Sequence, residues 1–282
     1  MKEGVETLVI GSKGFIGSNI CKYLKEKDIS FTGVQREDCD LLKVDQIKEF
    51  LDSYKHVSLN VIFCACVVRR KEDSHDSKRK NLKIVENFVE AVKPFDIASF
   101  VYLSSIDVYE NIESILLETS TLNSSGNYGA SKIECEKIVT KNFSDKILSI
   151  LRLPGVYGEN CKSQSVVGKF KHLVQSHEEV IISGEGSQLR DYLYVHDLPK
   201  AIHKIIYSSA SGIFNLSSGK SLTIKKILNL ISHYSKKQCI VKYKQERVKQ
   251  VDINISNEKF LSKFPEFRFT SMEEGIKKIT LE

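Results

Sequence analysis

The run Gly11-Ser-Lys-Gly14-Phe-Ile-Gly17 constrains the fold more than any other part of the chain. It follows the short apolar stretch Thr7-Leu-Val-Ile10 and leads into an amphipathic segment from Ser18 to Lys27, so the order reads strand, glycine turn, helix. In that context each glycine has its own physical task. The first permits the tight turn, the second lets backbone approach a pyrophosphate, and the third lets helix pack on strand. The helix N-terminus then offers N–H groups to an anion. The segment reads as a dinucleotide-binding turn.

The following sequence keeps the alternation that such a turn needs. Strands are expected at 7–10, 29–34, 60–65, 98–104 and 147–153, and helices at 15–27, 45–53, 76–92 and 128–143. Alternating strands and helices predict an α/β fold with a doubly wound parallel sheet covered on both faces. From about Val156 the pattern loosens into helices at 165–176, 197–208 and 223–235, a glycine turn at 184–186 and a mixed tail.

Within the 128–143 helix, Asn127-Tyr-Gly-Ala-Ser-Lys132 places Tyr128 and Lys132 four residues apart, on one helix face. A phenol of pKa about 10 exchanges protons poorly at neutral pH, and a fixed positive charge stabilises its anion. At about 1.4 kcal/mol per unit, bringing it to neutrality asks roughly 4 kcal/mol of Lys132 and its surroundings, which requires a partly desolvated cleft.

The spacing Gly-x-x-Gly-x-x-Gly followed by Tyr-x-x-x-Lys resembles the extended branch of the short-chain dehydrogenase/reductase superfamily, and within it the nucleotide-sugar-modifying, NAD-dependent epimerase/dehydratase family. Val101-Tyr-Leu-Ser-Ser105-Ile-Asp-Val-Tyr109 resembles the family's strand ending in a catalytic Ser or Thr, which selects Ser105. Leu151-Arg-Leu-Pro-Gly-Val-Tyr-Gly158, the Arg190-Asp-Tyr-Leu-Tyr-Val-His-Asp197 stretch and Phe214-Asn-Leu-Ser-Ser-Gly219 are similar to its later segments. The resemblance spans nearly the whole chain. It implies a Rossmann-type sheet with a smaller, interleaved C-terminal substrate lobe: residues 1–157 with returns from about 190–216, and a lobe over 158–282.

It also implies roles. Ser105, Tyr128 and Lys132 are the expected catalytic residues, Lys132 also reaching the nicotinamide ribose, and Ser105, Tyr128 and Arg190 the expected substrate contacts, Arg190 at a diphosphate. Cofactor contacts are expected from Gly11, Lys13, Gly14, Phe15, Ile16, Gly17, Arg36, Asp40, Leu41, Ala65, Lys132 and Pro154. The second strand ends in Gly33-Val-Gln-Arg36, with no carboxylate where one would hold a ribose 2′-hydroxyl, and Arg36 with Lys13 suits a 2′-phosphate. NADP(H) is therefore favoured, with NAD(H) the alternative and Glu37 and Asp38 its argument.

Family members that dehydrate carry Asp-Glu after the catalytic Ser or Thr; here the pair is Ile106-Asp107, which argues against a 4,6-dehydratase. Gly155 stands where many members have a substrate-contacting Asn. The expected activity is NADPH-dependent reduction of the 4-keto group of a nucleotide-diphosphate (deoxy)sugar, for surface-glycan or deoxysugar biosynthesis. An NAD-dependent nucleotide-sugar 4-epimerase is the alternative, and a non-catalytic dinucleotide-binding regulator a remote third.

The net charge of +6 could suggest nucleic acid, but the basic stretch from Arg69 to Lys80 also holds three acids and lacks aromatics, so a solvated loop is expected and no nucleic-acid partner. No apolar stretch approaches the ~18 residues of a membrane span and no leader precedes the first strand, so a cytoplasmic protein is expected. The seven cysteines lack Cys-x-x-Cys spacing and the seven histidines lack ligand spacing, which predicts reduced, mostly buried thiols and no metal site. A homodimer is expected through the Tyr128/Lys132 helix, with Ile133, Ile138 and Val139 as its apolar set.

Overall fold

Strand β1 (Val5–Ile10) is flanked by β2 (Thr32–Val34) on one side and β3 (Ser58–Phe63) on the other, in parallel register with Val9 opposite both Gly33 and Ile62. The computed structural model describes residues 4–69, 72–110, 115–143, 145, 147–159, 161, 165–245 and 251–281; Arg70 and Lys71 of the basic stretch lie outside them. The further strands are β4 (Ile97–Ser105), β5 (Ile115–Leu116), β6 (Leu148–Leu153), β7 (Gly155–Tyr157), β8 (Val180–Ser183) and β9 (Leu189–Arg190). After them come β10 (Tyr192–Tyr194), β11 (Gly212–Asn215), β12 (Leu222–Thr223), β13 (Val241–Lys244) and β14 (Asn254–Ile255). The helices are α1 (Phe15–Glu26), α2 (Val44–Leu51), α3 (His75–Val92), α4 (Asn127–Asn142) and α5 (Val166–Gln175), then α6 (Asp197–Tyr207), α7 (Ile224–Ser235), α8 (Glu258–Lys263) and α9 (Met272–Leu281).

The main sheet has the order β11-β6-β4-β3-β1-β2. The chain leaves β1 to one side for β2 and crosses back to the other for β3, so the carboxyl ends of β1 and β3 flank the topological switch point where such sheets bind ligands. Leu8 and Ile10, Val61 and Phe63, Phe100 and Tyr102, and Leu148 and Ile150 share one face with Ile47 and Leu51 of α2, Phe88 of α3, and Cys135 and Val139 of α4. Val9, Ile62, Val101 and Leu151, one residue out of phase, are equally buried on the other face. Burial on both faces is why these strands read as unbroken apolar runs. The expected doubly wound Rossmann-type sheet is the fold observed.

Two compact units divide the chain: residues 1–110, 121–152 and 198–214, and residues 111–120, 153–197 and 215–282. The second contains short strand pairs, β7 with β10, β8 with β13, β9 with β12 and β5 with β14. Its core packs Phe170 and Val174 of α5, Ile227 and Ile231 of α7, and Ile276 of α9. The mixed tail thus resolves into β13, β14, α8 and α9.

Three local expectations are corrected. The second strand covers only Thr32–Val34, because α1 ends in a turn that consumes the residues before it: Asp28 adopts φ 51°, and Ile29 N donates to Leu24 O at 3.0 Å. The cysteines are all free, but only Cys39 and Cys135 are buried, since Cys64 and Cys66 lie past the end of β3. Val139 is 0% exposed against the sheet, so the proposed dimer face loses its third apolar member to the core.

Candidate active site

Gly11 leaves β1 with φ +89°, and a Cβ there would lie 2.9 Å from the backbone N of Ala65, just past β3. The two strand ends at the switch point are therefore held at a distance that only glycine allows. A Cβ on Gly17 would fall 2.2 Å from Gly11 O, whereas one on Gly14 meets nothing closer than that oxygen at 3.3 Å. The third glycine is thus required by packing, while the second leaves open backbone. Gly14 is also the N-cap of α1, gives no side-chain cap, and no acid occupies the first turn. Uncapped N–H groups at a helix start suit the pyrophosphate of a dinucleotide. Phe15 and Ile16 begin that helix.

Around the end of β2 the cations stand among acids. Lys13 Nζ is 3.3 Å from Glu37 Oε2, and the exposed Arg36 is 3.5 Å from Asp40 Oδ2. Asp40 closes the turn before α2, its Oδ1 accepting from Leu42 N at 3.1 Å, while Leu41 O accepts from Asn87 Nδ2 at 3.0 Å.

The expected catalytic residues converge at the carboxyl end of β4. Ser105 is its last residue, and its Oγ accepts from Asp107 N at 3.1 Å, capping the 3-10 turn Ile106–Val108. Helix α4 starts beside that turn with Gly126 at its N-cap and no side-chain cap of its own. Asp73, from the loop before α3, supplies it: Asp73 Oδ1 accepts from Tyr128 N at 2.9 Å. Replacing Asp73 by Ala is expected to cost about 1 kcal/mol, the worth of an N-cap, while Asn retains most of it. Urea denaturation measures this, and an unchanged midpoint for Asp73→Ala would show that the bond carries no weight.

Lys132 is 3% exposed, its Nζ donating to Leu103 O at 2.7 Å and Tyr102 Oη at 3.3 Å. The ammonium lies 4.9 Å from the Tyr102 ring centre and 5.8 Å from that of Tyr128. Contrary to the sequence reading, the Tyr128 phenol titrates well above its ordinary value: burial dominates, and the nearby Cys66 and Asp107 add to it, against a smaller pull from Arg69. Burial likewise raises the Asp107 carboxyl, with Arg69 opposing it. In this state Tyr128 holds its proton.

One turn beyond Lys132, Glu136 bonds Arg152 of β6 through Oε2 to Nη2 at 2.7 Å and Oε1 to Nε at 3.1 Å. Ser104 Oγ donates to the same Oε1 at 2.5 Å, and Arg152 Nη1 to Tyr109 Oη at 3.0 Å. Sequence reasoning gave Asp73, Tyr102, Cys66 and Glu136 no role and quoted Arg152 only within a motif. Only Glu136 had a local signal, its four-residue spacing from Lys132.

Arg190 and Pro154 belong to the second unit. Pro154 is buried between β6 and β7. Arg190, in β9, donates from Nη1 to Leu189 O and Val251 O, both at 2.7 Å. Its neighbour Asp191 accepts from Ser218 Oγ at 2.6 Å and Gly219 N at 3.0 Å, fixing the Phe214–Gly219 segment.

Comparison with known proteins agrees with this geometry. The chain is 26% identical to the dTDP-4-dehydro-6-deoxyglucose reductase of Escherichia coli, across 85% of this chain and 84% of that protein. Its fold matches that of Thermus thermophilus UDP-glucose 4-epimerase in complex with NAD, with TM-score 0.83, 21% identity and 98% and 97% of the two chains covered. It also matches RMD from Pseudomonas aeruginosa in complex with NADPH, with TM-score 0.84, 16% identity and 99% and 98% covered. The profile of the NAD dependent epimerase/dehydratase family aligns with residues 7–217, from the first strand through the Phe214 segment. The chain belongs to that family and is an NAD(P)-dependent enzyme of the oxidoreductase/epimerase type.

Proposed function

We propose that the protein reduces the 4-keto group of a nucleotide-diphosphate (deoxy)sugar with NADPH. The feature that carries this reading is the pair of exposed cations Lys13 and Arg36 at the end of β2, which suits the 2′-phosphate of NADPH, the cofactor a reductase consumes, and a Tyr128 phenol raised above its ordinary value in the ligand-free chain is consistent with it. A reductase begins its chemical step by giving a proton to a carbonyl oxygen, so its resting acid must hold that proton. An epimerase begins by removing one and needs the phenolate. Ile106, in the position where dehydrating relatives carry an acid, argues separately against a dehydratase.

Bound at the glycine turn, the reduced nicotinamide supplies the hydride. Ser105 Oγ and the Tyr128 hydroxyl bind the ketone oxygen. The Tyr128 proton passes to that oxygen as the carbonyl becomes a secondary alcohol, and solvent returns a proton to Tyr128. Lys132, fixed by Leu103 O and Tyr102, sets a positive charge beside the phenolate while it lasts. Arg190 takes the substrate diphosphate, a planar donor matched to phosphate oxygens.

The NADP preference rests on Arg36 and Lys13. Lys13 and Glu37 are both exposed, and Arg36 is exposed against a half-buried Asp40; pairs with an exposed member are weakly held. Both cations therefore exchange their carboxylates for a 2′-phosphate at small cost. Arg36→Ala is expected to raise KM for NADPH about tenfold or more, the worth of a charge-assisted bond, and to leave that for NADH nearly unchanged. Equal effects on both cofactors would overturn the preference.

With a nucleotide-linked 4-keto-6-deoxy sugar, purified protein should consume NADPH and its near-ultraviolet absorbance. Tightly held NAD released on denaturation, with no net NADPH consumption, would instead establish the epimerase. A homodimer through α4 remains part of this proposal, with Ile133 and Ile138 half-buried and Val139 removed from the contact set. No helix among the described residues is long and apolar enough to cross a membrane.

A further inference from the structure

We propose that the buried Glu136–Arg152 pair is a positioning device that sets where Tyr128 and Lys132 stand relative to Ser105. Helix α4 buries Gly129, Ser131, Lys132, Cys135, Glu136 and Val139, so Cys135 and Val139 anchor it in the core while the polar members of the same face can fix its rotation and its advance along the sheet. Directional bonds do that. Lys132 Nζ donates to Leu103 O, and one turn on, Glu136 Oε1 accepts from Ser104 Oγ at 2.5 Å. Leu103, Ser104 and Ser105 are consecutive at the end of β4, so the two bonds tie successive turns of the catalytic helix to the residues that present Ser105.

Arg152 locks this arrangement from the next strand. Its guanidinium grips both oxygens of Glu136 from Nε and Nη2, and Nη1 donates to Tyr109 Oη at 3.0 Å, beyond the 3-10 turn that Ser105 caps. Glu136 and Arg152 are 4% and 1% exposed, and the arginine ranks among the largest fully buried side chains. A well-packed apolar pair often matches or exceeds a buried ion pair in stability, and defining one geometry is the role such pairs best support. A planar fork on a carboxylate fixes orientation as well as distance. The rise of about 1.5 Å per residue puts Glu136 about 12 Å along the helix from Tyr128. It acts through the helix and touches no reacting atom.

The inference rests on the proposed reduction for its kinetic readout, and on the ligand-free protein for its other readout. Two variants are compared with wild type: the double variant Glu136→Met with Arg152→Met, which removes both charges together, and Ser104→Ala, which removes one bond and leaves the pair. The double variant is expected to melt at or above the wild-type temperature. Its kcat should fall about 10²-fold, the cost of roughly 1 Å of misplacement, with KM for NADPH within a few-fold, and hydrogen exchange in peptides from 127–142 should quicken in the absence of ligand. Ser104→Ala is expected to lose about tenfold in kcat at unchanged melting temperature.

A folded double variant with wild-type kcat and wild-type exchange in α4 would reduce the pair to a structural role and overturn the proposal. Should the double variant not fold, Ser104→Ala decides by the same two readouts. If wild type turns over no nucleotide-linked 4-keto sugar, the proposed function fails, while exchange in α4 still decides the positioning role.

Discussion

Tyr128→Phe is expected to lower kcat by about 10²- to 10⁴-fold, the range for loss of a placed proton donor, while the protein stays folded and still binds NADPH. The substitution deletes one hydroxyl and keeps the ring, so the face toward Lys132, 5.8 Å from the ring centre, remains filled. The pH dependence carries a second test. Because the folded-state pKa is raised above the unfolded value of about 10, the contribution of Tyr128 to stability is complete below about pH 10 and is lost as pH rises through the folded value. Phe cannot ionise, so the variant lacks this alkaline loss. For the same reason wild-type reduction should be level through neutral pH and fall only on the alkaline side. Wild-type turnover in folded Tyr128→Phe would remove Tyr128 from the chemistry. A reduction rate that rises with pH through neutrality would show that the working form is the phenolate.

The sequence-level charge argument and the structure disagree on this residue for a definite reason. Tyr128 and Lys132 share a helix face, and from spacing alone the ammonium should depress the phenol. Burial is not written in spacing. In the folded chain Lys132 is bonded to Leu103 O and Tyr102, and desolvation dominates the phenol's equilibrium.

What was legible follows the range of the interactions involved. The alternation through Leu153 could be read because the inner strands β1, β3, β4 and β6 are buried on both faces and each helix follows its strand locally. Helices α5 and α7 of the second unit could be read as well, but its strands could not, since they are two to four residues long and pair with distant partners, as Val180–Ser183 does with Val241–Lys244. Such segments are too short to show a period. Asp73 reaches Tyr128 across 55 positions, and Glu136 meets Arg152 from a different element. Nothing in the residues themselves announces either contact.

Gly14→Ala and Gly17→Ala should separate the two kinds of work done in the glycine turn. An alanine at 17 gains up to about 1 kcal/mol of helix propensity, yet its Cβ would stand 2.2 Å from Gly11 O and 2.9 Å from Ser12 Cα, both backbone atoms that cannot swing aside. The turn must move. Overpacking of this kind costs about 1–3 kcal/mol, and because Gly11 is itself held against Ala65, the displacement falls on the strand-end geometry that receives the dinucleotide. Gly17→Ala should therefore lower the melting temperature and weaken NADPH binding together, the latter by at least about tenfold. At 14 the added Cβ meets only Gly11 O, at 3.3 Å, and the backbone is extended with φ −66°, so the ligand-free fold should change by less than about 1 kcal/mol. The same methyl would occupy the open approach to the uncapped N–H groups of α1, and NADPH affinity should fall as far as in Gly17→Ala while the melting temperature stays near wild type. Thermal melts and calorimetric titration with NADPH distinguish the two. Undiminished affinity in Gly14→Ala would show that the pyrophosphate does not sit over Gly14, whatever else the turn does for the fold.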